Sequence, residues 1–504
     1  MANIQKNAKT LLAGAAVALL ALTSSGKLVK ADAETLLGRA PAMRQAATRC
    51  FPALTGNAAI PYLRAVTEHK ARRRLVNPRV GYPNWRMNGA TEAAGYGAGT
   101  IKVSLEYPDG VFTLSNECIA AGNAAVAFPV GNTVLTFNVV VPRGKSFKLR
   151  PWVVIPAGVN WTQVAGGTQS AYGVGPNDYM DISTNPVADH TNGGTVGAAN
   201  GSLFFPIFIA TEHREPAPII FGTSRAAGGT YINDTSLDAG PECLILGKSH
   251  GYTNTGIAAT LLSQWNAGSH SYLGELIAAG YWTHAINEYG INDTGDTATV
   301  LAGRRATFAT WLKGLRSDIV LIGETIYPRT NSTDEFSSKT NQTLSAQPIA
   351  EFNNLVRAGI AGEDYCWDAA SAVDPGRIGK YPATQDTAAE SYTRTLFTAG
   401  LSGTTLTVSA ITSGPALGPG DSLNATGAAP NLWIKRQLTG TTGGVGTYEV
   451  NRMHGGFPWV ANIAAGTAFT TGGRITRDGL HLETPGVDAL VRNAGHALLD
   501  LIAA

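Results

Sequence analysis

The sequence predicts an α/β protein: a parallel sheet with helices on both faces, preceded by a β-sandwich domain and carrying a small inserted β module. Three observations predict it. Residues 95–215 are short β-branched and aromatic runs separated by turn residues, the pattern of antiparallel strands. From about residue 217 strand-like apolar runs alternate with helical patterns, which implies parallel strands joined by helical crossovers. Residues 399–451 interrupt that alternation with strand runs and Gly-rich turns and show no helical period.

The composition fits this class. At 504 residues the chain exceeds one typical domain, and two or three are expected. Charged residues make up 15% and there are 59 glycines, a turn-rich rather than a disordered or coiled-coil balance. Lys plus Arg (38) nearly equals Asp plus Glu (36), so no basic surface for a nucleic-acid partner is implied. The one basic cluster, "HKARRR" at 69–74, reads as a solvated helix face or linker. Cys50, Cys118, Cys243 and Cys366 stand far apart with no CxxC, which excludes the common zinc and redox patterns and leaves any disulfide pairing open.

Taken in order, residues 1–31 place Lys6 and Lys9 before an apolar run at 11–22 and end on Val29-Lys30-Ala31. This fits a secretory signal peptide, and so a secreted, extracellular or periplasmic protein, or the N-terminal arm of a virion-associated one. The run is too short to span a bilayer permanently. Residues 32–94 mix short helical patterns with prolines and read as an arm or linker. In 95–215, "GTIKVSLEY", "GVFTLS", "NAAVAFPV", "TVLTFNVVVP", "KLRPWVVIPA" and "SLFFPIFIAT" are the sandwich strands. In 217–504, "PAPIIFG", "ECLILG", "THAINEYG" and "DIVLIGETIYP" read as strands. "TGIAATLLSQW", "RATFATWLKGL" and the last stretch, "ETPGVDALVRNAGHALLDLIAA", read as helices, the last with Thr484 as N-cap and Pro485 in its first turn.

Sites in such sheets lie beyond the carboxyl ends of the strands. "FGTSRAAGG" puts Ser224 at the first of these ends. A serine nucleophile needs a base, an orienting acid and oxyanion donors. "TRDGLHLETPG" offers Asp478 three residues before His481, and "EYGINDTGD" offers the Asn292 amide after the third strand. "LGKSHGYTNTG" offers Gly251, placed after the second strand, with Gly268 in "NAGSHS" as its competitor. No GxSxG elbow, HExxH or His/Cys cluster is present, so neither a standard α/β-hydrolase nor a catalytic metal is implied, and no cofactor is expected.

In their order, "FGTSRAAG", "GKSHG", "YGIND" and "DGLH" resemble the four blocks of the SGNH (GDSL-like) hydrolase family, over 217–398 and 452–504. The resemblance implies a flavodoxin-like sheet. It makes Ser224 the nucleophile, His481 the base and Asp478 its orienting partner. The N–H groups of Ser224 and Gly251 and the Asn292 amide would form the oxyanion hole. Thr223 departs from the family's Asp before the serine. The skeleton "GTTLTVSAITSG…LGPGDSL…GTTGGVGTYEVN" of 399–451 resembles a Gly-rich module of phage tail and bacterial surface proteins. The expected activity is a serine esterase acting on an ester partner, an acetylated glycan by analogy with many family members. Trp152 and Trp161 are candidates to stack on sugars. The alternative is a tail or surface component that binds glycans and keeps the esterase fold as an auxiliary or a relic.

Overall fold

The computed structural model describes residues 40–503 except 53–54, 58–60, 95–96, 156–160, 164–176, 195–202, 228–237, 239, 335, 346–347, 383–392, 420, 422, 426–431, 452, 455–456, 459–461, 472–474, 477–479 and 483. Residues 1–31 therefore lie outside the described residues.

Two antiparallel sheets come first. One orders Ala42–Gln45, Phe208–His213, Arg79–Asn88 and Gly131–Thr136, with Thr91–Ala94 paired to Arg79–Asn88. The other orders Tyr179–Ser183, Tyr62–Lys70, Ser146–Val154, Gly99–Glu106 and Phe112–Leu114. Val80, Tyr82 and Ile209 of the first share one apolar cluster with Ala65, Val103 and Leu149 of the second. Residues 42–94, expected as an arm or linker, are thus integral to both sheets. Their polarity is internal: Arg49, 2% exposed, is paired with the buried Asp178 at 2.5 Å, and Asp178 also accepts the Glu68 N–H at 2.8 Å. The "HKARRR" stretch is not a solvated helix face either. His69 is buried at a strand end between Thr67 and the Thr48 carbonyl, and Arg73 is buried against Glu215 and the Ser249 carbonyl.

Beyond residue 217 lies the α/β unit, whose elements are numbered here. Its strands are β1 (Pro218–Phe221), β2 (Thr253–Asn254), β3 (His284–Asn287), β4 (Val320–Glu324) and β5 (Tyr365–Trp367). Their spatial order is β2-β1-β3-β4-β5, and every pair is parallel. The helices are α1 (Pro241–Leu246), α2 (Leu262–Ala267), α3 (Ser271–Ala278), α4 (Ala298–Leu315), α5 (Ile349–Ala358) and α6 (Thr484–Ala503). Strand side chains alternate between faces. Ile219, Phe221, Ala285 and Leu321 pack with Trp265 of α2, Leu273 of α3 and Phe308 of α4, in the cluster that continues into the antiparallel sheets. Ile220, Ile286 and Ile322 pack with Leu244 of α1 and Leu490 and Leu498 of α6. Both faces are covered, as a parallel sheet requires. Among the described residues no helix is long and apolar enough to cross a membrane.

"ECLILG" is helix α1 and not a strand. Pro241 opens it, all six of its residues are buried, and a short apolar run does not distinguish a buried helix from a buried strand. The second strand is Thr253–Asn254, and the helix expected from 255 begins at Leu262. β2 is an edge of the sheet, and the N-terminal segment covers it. Tyr252 N–H donates to Ala47 O at 3.1 Å, Asn254 N–H to Cys50 O at 2.9 Å, and Cys50 bridges Thr253 in parallel. Gln45 fastens the segment by donating to Ala47 O (2.6 Å) and Tyr252 O (3.2 Å) and accepting from Ile209 N–H (2.9 Å).

The inserted β unit is longer than 399–451. Its six-stranded antiparallel sheet runs from Leu396–Ser402 to Ile463–Thr471, and these first and last strands pair with each other. Phe397, Leu406, Val408, Leu423, Ile434, Tyr448 and Phe469 belong to its own apolar cluster. At its base Thr471 N–H donates to Thr395 O (2.9 Å) and Thr395 N–H to the Thr471 hydroxyl (2.8 Å).

Two outcomes follow. Replacing residues 396–470 by a short Gly-Ser linker leaves a soluble protein, because entry and exit are already neighbours and the unit has its own core. Thermal melting of the excised protein checks this, and insoluble product contradicts it. The second concerns Glu92, whose carboxylate accepts the Tyr272 and Leu273 N–H groups of α3, each at 2.8 Å. Burial pushes Glu92 from the usual 4.5 up to about 7, with the two N–H bonds offsetting only part. The folded state thus holds this proton to a higher pH than the unfolded state, so the contribution to stability is full below 4.5 and lost as pH rises through about 7. Urea unfolding at about pH 5 and about pH 8 should show wild type losing more stability than Glu92→Gln across that interval, and equal losses would refute the linkage.

Candidate active site

The registers Phe221↔Asn287, Ile220↔Asn254 and Glu324↔Trp367 align the strand ends, so the loops after β1 to β5 open on one edge of the sheet. Directly after β1 the chain turns through Gly222–Ala227, with Ala227 N–H donating to Thr223 O at 2.9 Å. A Cβ on Gly222 would lie 2.6 Å from both Ala226 Cβ and Glu288 Oε2, so a side chain there would displace the turn. Glu288, just past β3, takes the Thr223 N–H at 2.6 Å and its hydroxyl at 2.9 Å. Thr223, the departure from the family pattern, is thereby anchored by a carboxylate from the neighbouring strand. Ser224 is 9% exposed in this turn, and its Oγ lies 2.8 Å from His481 Nε2. Asp478 lies outside the described residues.

The loop after β2 presses on the same turn. Asn254, fully buried, donates from Nδ2 to Ala226 O at 2.7 Å and accepts Gly256 N–H on Oδ1 at 2.8 Å. Ile257 N–H donates to Gly222 O at 3.0 Å. A Cβ on Gly256 would sit 2.8 Å from Ala227 N. Ala259 has φ +62°, a left-handed conformation that a residue with a Cβ adopts only under constraint. The loop meets the third strand end where Asn292 Nδ2 donates to Thr260 O at 3.2 Å. One amide N–H is used there, and an amide carries two. Asp293 fixes this turn by accepting the Leu262 (2.9 Å) and Ser263 (3.0 Å) N–H groups that open α2, and it pairs with Arg304 at 2.8 Å.

The structure brings Ser224 and His481 together and ties Asn292, after β3, to the loop that packs on the Ser224 turn. Gly251 lies elsewhere. It precedes β2, at the amino end of the sheet, and a Cβ on it would stand 2.4 Å from Ala46 C and Ala47 N. Its selection rested on "ECLILG" being a strand. Gly268 also faces the antiparallel sheets, where a Cβ would meet Thr91 Cγ2 at 2.5 Å. The residues that the sequence reading missed are Asn254, Gly256, Ala259 and Glu288. A signal was present in "NTG", a polar residue and a glycine two apart, but a two-residue strand before it has no period to detect. Trp152 is half-buried and donates to Val187 O at 3.0 Å, and the Trp161 side chain lies outside the described residues.

Behind the Ser224 turn three carboxyl groups are fully or almost fully buried: Glu242, Glu288 and Glu324. Burial raises Glu288, while Arg225 and the Thr223 donors pull it back. Burial and Glu288 push Glu242 up to about 7. Burial and both neighbouring carboxylates raise Glu324 further, and the Tyr327 hydroxyl donates to it at 3.0 Å.

No family model matches the chain, and no curated protein matches it. Similar solved structures include a Bacillus subtilis protein, at 13% identity and TM-score 0.25 over 63% of this chain and 68% of that one. A peptidoglycan O-acetylesterase is 11% identical with TM-score 0.27, over 64% of this chain and 66% of that one. A protein described as a GDSL-like lipase, from Parabacteroides merdae, is 13% identical with TM-score 0.24, over 32% of this chain and 81% of that one. Likenesses at these scores carry no weight for the chemistry of this chain.

The Ser224 turn depends on Asn254 whatever it serves. Asn254→Ala leaves the Ala226 carbonyl and the Gly256 N–H without this partner, at about 1–3 kcal/mol per buried group. A total loss of roughly 2–5 kcal/mol in urea unfolding is expected. A variant as stable as wild type would show that the loop closes without this side chain.

Proposed function

We propose that the protein is a serine esterase of the SGNH type acting on an acylated glycan. The observation that carries this reading is the 2.8 Å contact between Ser224 Oγ and His481 Nε2 at the carboxyl edge of a parallel sheet. The strand order β2-β1-β3-β4-β5 supports it, being the doubly wound, flavodoxin-like order whose ligands bind at that edge. We read the two antiparallel sheets as an accessory β-sandwich.

In this reading Ser224 Oγ attacks the ester carbonyl carbon while His481 Nε2 takes the hydroxyl proton. Asp478, three residues earlier, is the proposed partner of the other imidazole nitrogen and holds the tautomer. The negative charge that develops on the carbonyl oxygen is met by the Ser224 N–H and the Asn292 amide. A third donor is assigned to the 255–260 loop in place of Gly251, because that loop and not Gly251 adjoins the nucleophile turn. The C–O bond to the leaving alcohol breaks as His481 returns the proton to it. Water then attacks the acyl-enzyme, giving its proton to His481, and the acid leaves as Ser224 is restored. A cleaved leader and a secreted or periplasmic location belong to the same reading.

The test is hydrolysis of p-nitrophenyl acetate and release of acetate from acetylated polysaccharides. Ser224→Ala should lose several orders of magnitude in kcat without unfolding. Asn292→Ala should lose about 10²–10³ in kcat with KM little changed, the scale of one oxyanion donor. Unchanged turnover in Ser224→Ala overturns the assignment. A second reading, a glycan-binding tail or surface component, is favoured by the separate β unit at 396–471 with its own core. It predicts retention of glycan with no acetate released.

A further inference from the structure

The base reaches the site on a stretch that follows the whole inserted β unit, and the residue after the nucleophile grips that stretch. Arg225 is 4% exposed and spreads all three guanidinium nitrogens over backbone carbonyls. Nε donates to Leu480 O at 2.9 Å, the carbonyl of the residue preceding His481. Nη2 donates to Pro328 O at 3.0 Å and Nη1 to Tyr327 O at 3.3 Å, on the loop after β4. The guanidinium lies over the Tyr327 ring, 4.8 Å from its centroid. A second donor repeats the grip. The Tyr381 hydroxyl lies 2.6 Å from Pro328 O and 3.3 Å from Leu480 O, so Arg225 and Tyr381 together bracket the same two carbonyls.

We propose that Arg225, with Tyr381, is the positioning residue of the base: it ties the nucleophile turn to the Leu480–His481 peptide and so sets the distance from Ser224 Oγ to His481 Nε2. Arg225 directly follows Ser224, so its backbone moves with the nucleophile while its side chain holds the base loop. A planar fork of fixed donors transmits position as a flexible ammonium does not. The rival role is counter-charge. Glu288 and Glu242 both feel the Arg225 cation, and a lysine would meet that need.

The proposal rests on the esterase reading, and the experiment separates the two. In the full chain, compare Arg225→Lys, Tyr381→Phe and the double variant with wild type on p-nitrophenyl acetate. Follow in parallel the rate at which a fluorophosphonate labels Ser224. A misplacement of about 1 Å costs up to about 10²-fold, so Arg225→Lys is expected to lower kcat by roughly 10- to 100-fold with KM within about twofold. Labelling of Ser224 should slow in proportion. Tyr381→Phe is expected to lose about three- to tenfold, and the double variant less than the product of the single losses, because both donors serve the same carbonyls. Circular dichroism and melting curves establish that each variant is folded. If Arg225→Lys does not fold, Tyr381→Phe decides, and unchanged kcat in it overturns the proposal. A folded Arg225→Lys with wild-type kcat, a loss confined to KM, or strictly multiplicative losses overturn it too. Ser224→Ala retaining full hydrolysis overturns the esterase reading itself, a result that none of the clamp variants can produce.

Discussion

A buried carboxyl group holds the turn that carries Ser224. Glu288 leaves the end of β3 and receives the N–H and hydroxyl of Thr223, in the turn that follows the neighbouring strand β1. Burying an ionised carboxyl group is costly unless donors and a cation compensate it, and here Thr223 and Arg225 do both. The rest of the edge follows from that arrangement. Gly222 must lack a side chain because the carboxylate fills the space a Cβ would take. Ser224 is then presented at the top of the turn with its backbone fixed from below. Arg225, buried directly after Ser224, spends its donors on the carbonyls of the β4 loop and of Leu480. One buried carboxyl group thus constrains both Gly222 and Thr223.

The sheet edge next to that turn is stabilised from outside the α/β unit. β2 is two residues long and would be an exposed, weakly held edge. The segment from Gln45 to Cys50 pairs along it, and Gln45 satisfies donors and acceptors on both sides of the junction. Phe208 of the antiparallel sheet stacks on Tyr281, with ring centroids 3.8 Å apart, in the cluster that runs through to Phe221 under the nucleophile. The antiparallel sheets are therefore part of what gives β2, and through Asn254 the loop beside Ser224, a fixed place.

The sequence disclosed the strands that are buried on both faces, because "PIIF", "HAIN" and "VLIGE" are nearly continuous apolar runs. It disclosed Ser224 and Asn292 as residues at turns beyond such runs and His481 as a residue just before the last helix. It hid β2 and β5, since Thr-Asn and Tyr-Cys-Trp are too short to show a period and owe their strand character to neighbours. Misreading α1 as the second strand then carried Gly251 into the site. Residues 42–94 were hidden by a different cause, pairing at long range. Their charged side chains look solvated until Arg49 is seen facing Asp178 across a separation of 129 residues. Long-range pairing of this kind leaves no local pattern, and neither does the partnership of Thr223 with Glu288.

The position of the β unit at 396–471 is compatible with a fixed contact between Ser224 and His481. His481 follows Ser224 by 257 residues, and the insertion falls inside that interval. An insertion disturbs its host least when its two ends meet, because the host chain then spans no new gap. Here the first and last strands pair antiparallel, and Thr395 and Thr471 exchange two hydrogen bonds at the junction. The chain therefore leaves the insert close to where it entered. From there Ile475, Leu482 and Val487 are buried in the same cluster as Ile220 and Ile286 of the sheet, which returns the stretch that carries His481 to the core. Apolar burial of this stretch supplies affinity without direction. The donors on Leu480 O supply direction, and the two together fix the imidazole against the serine.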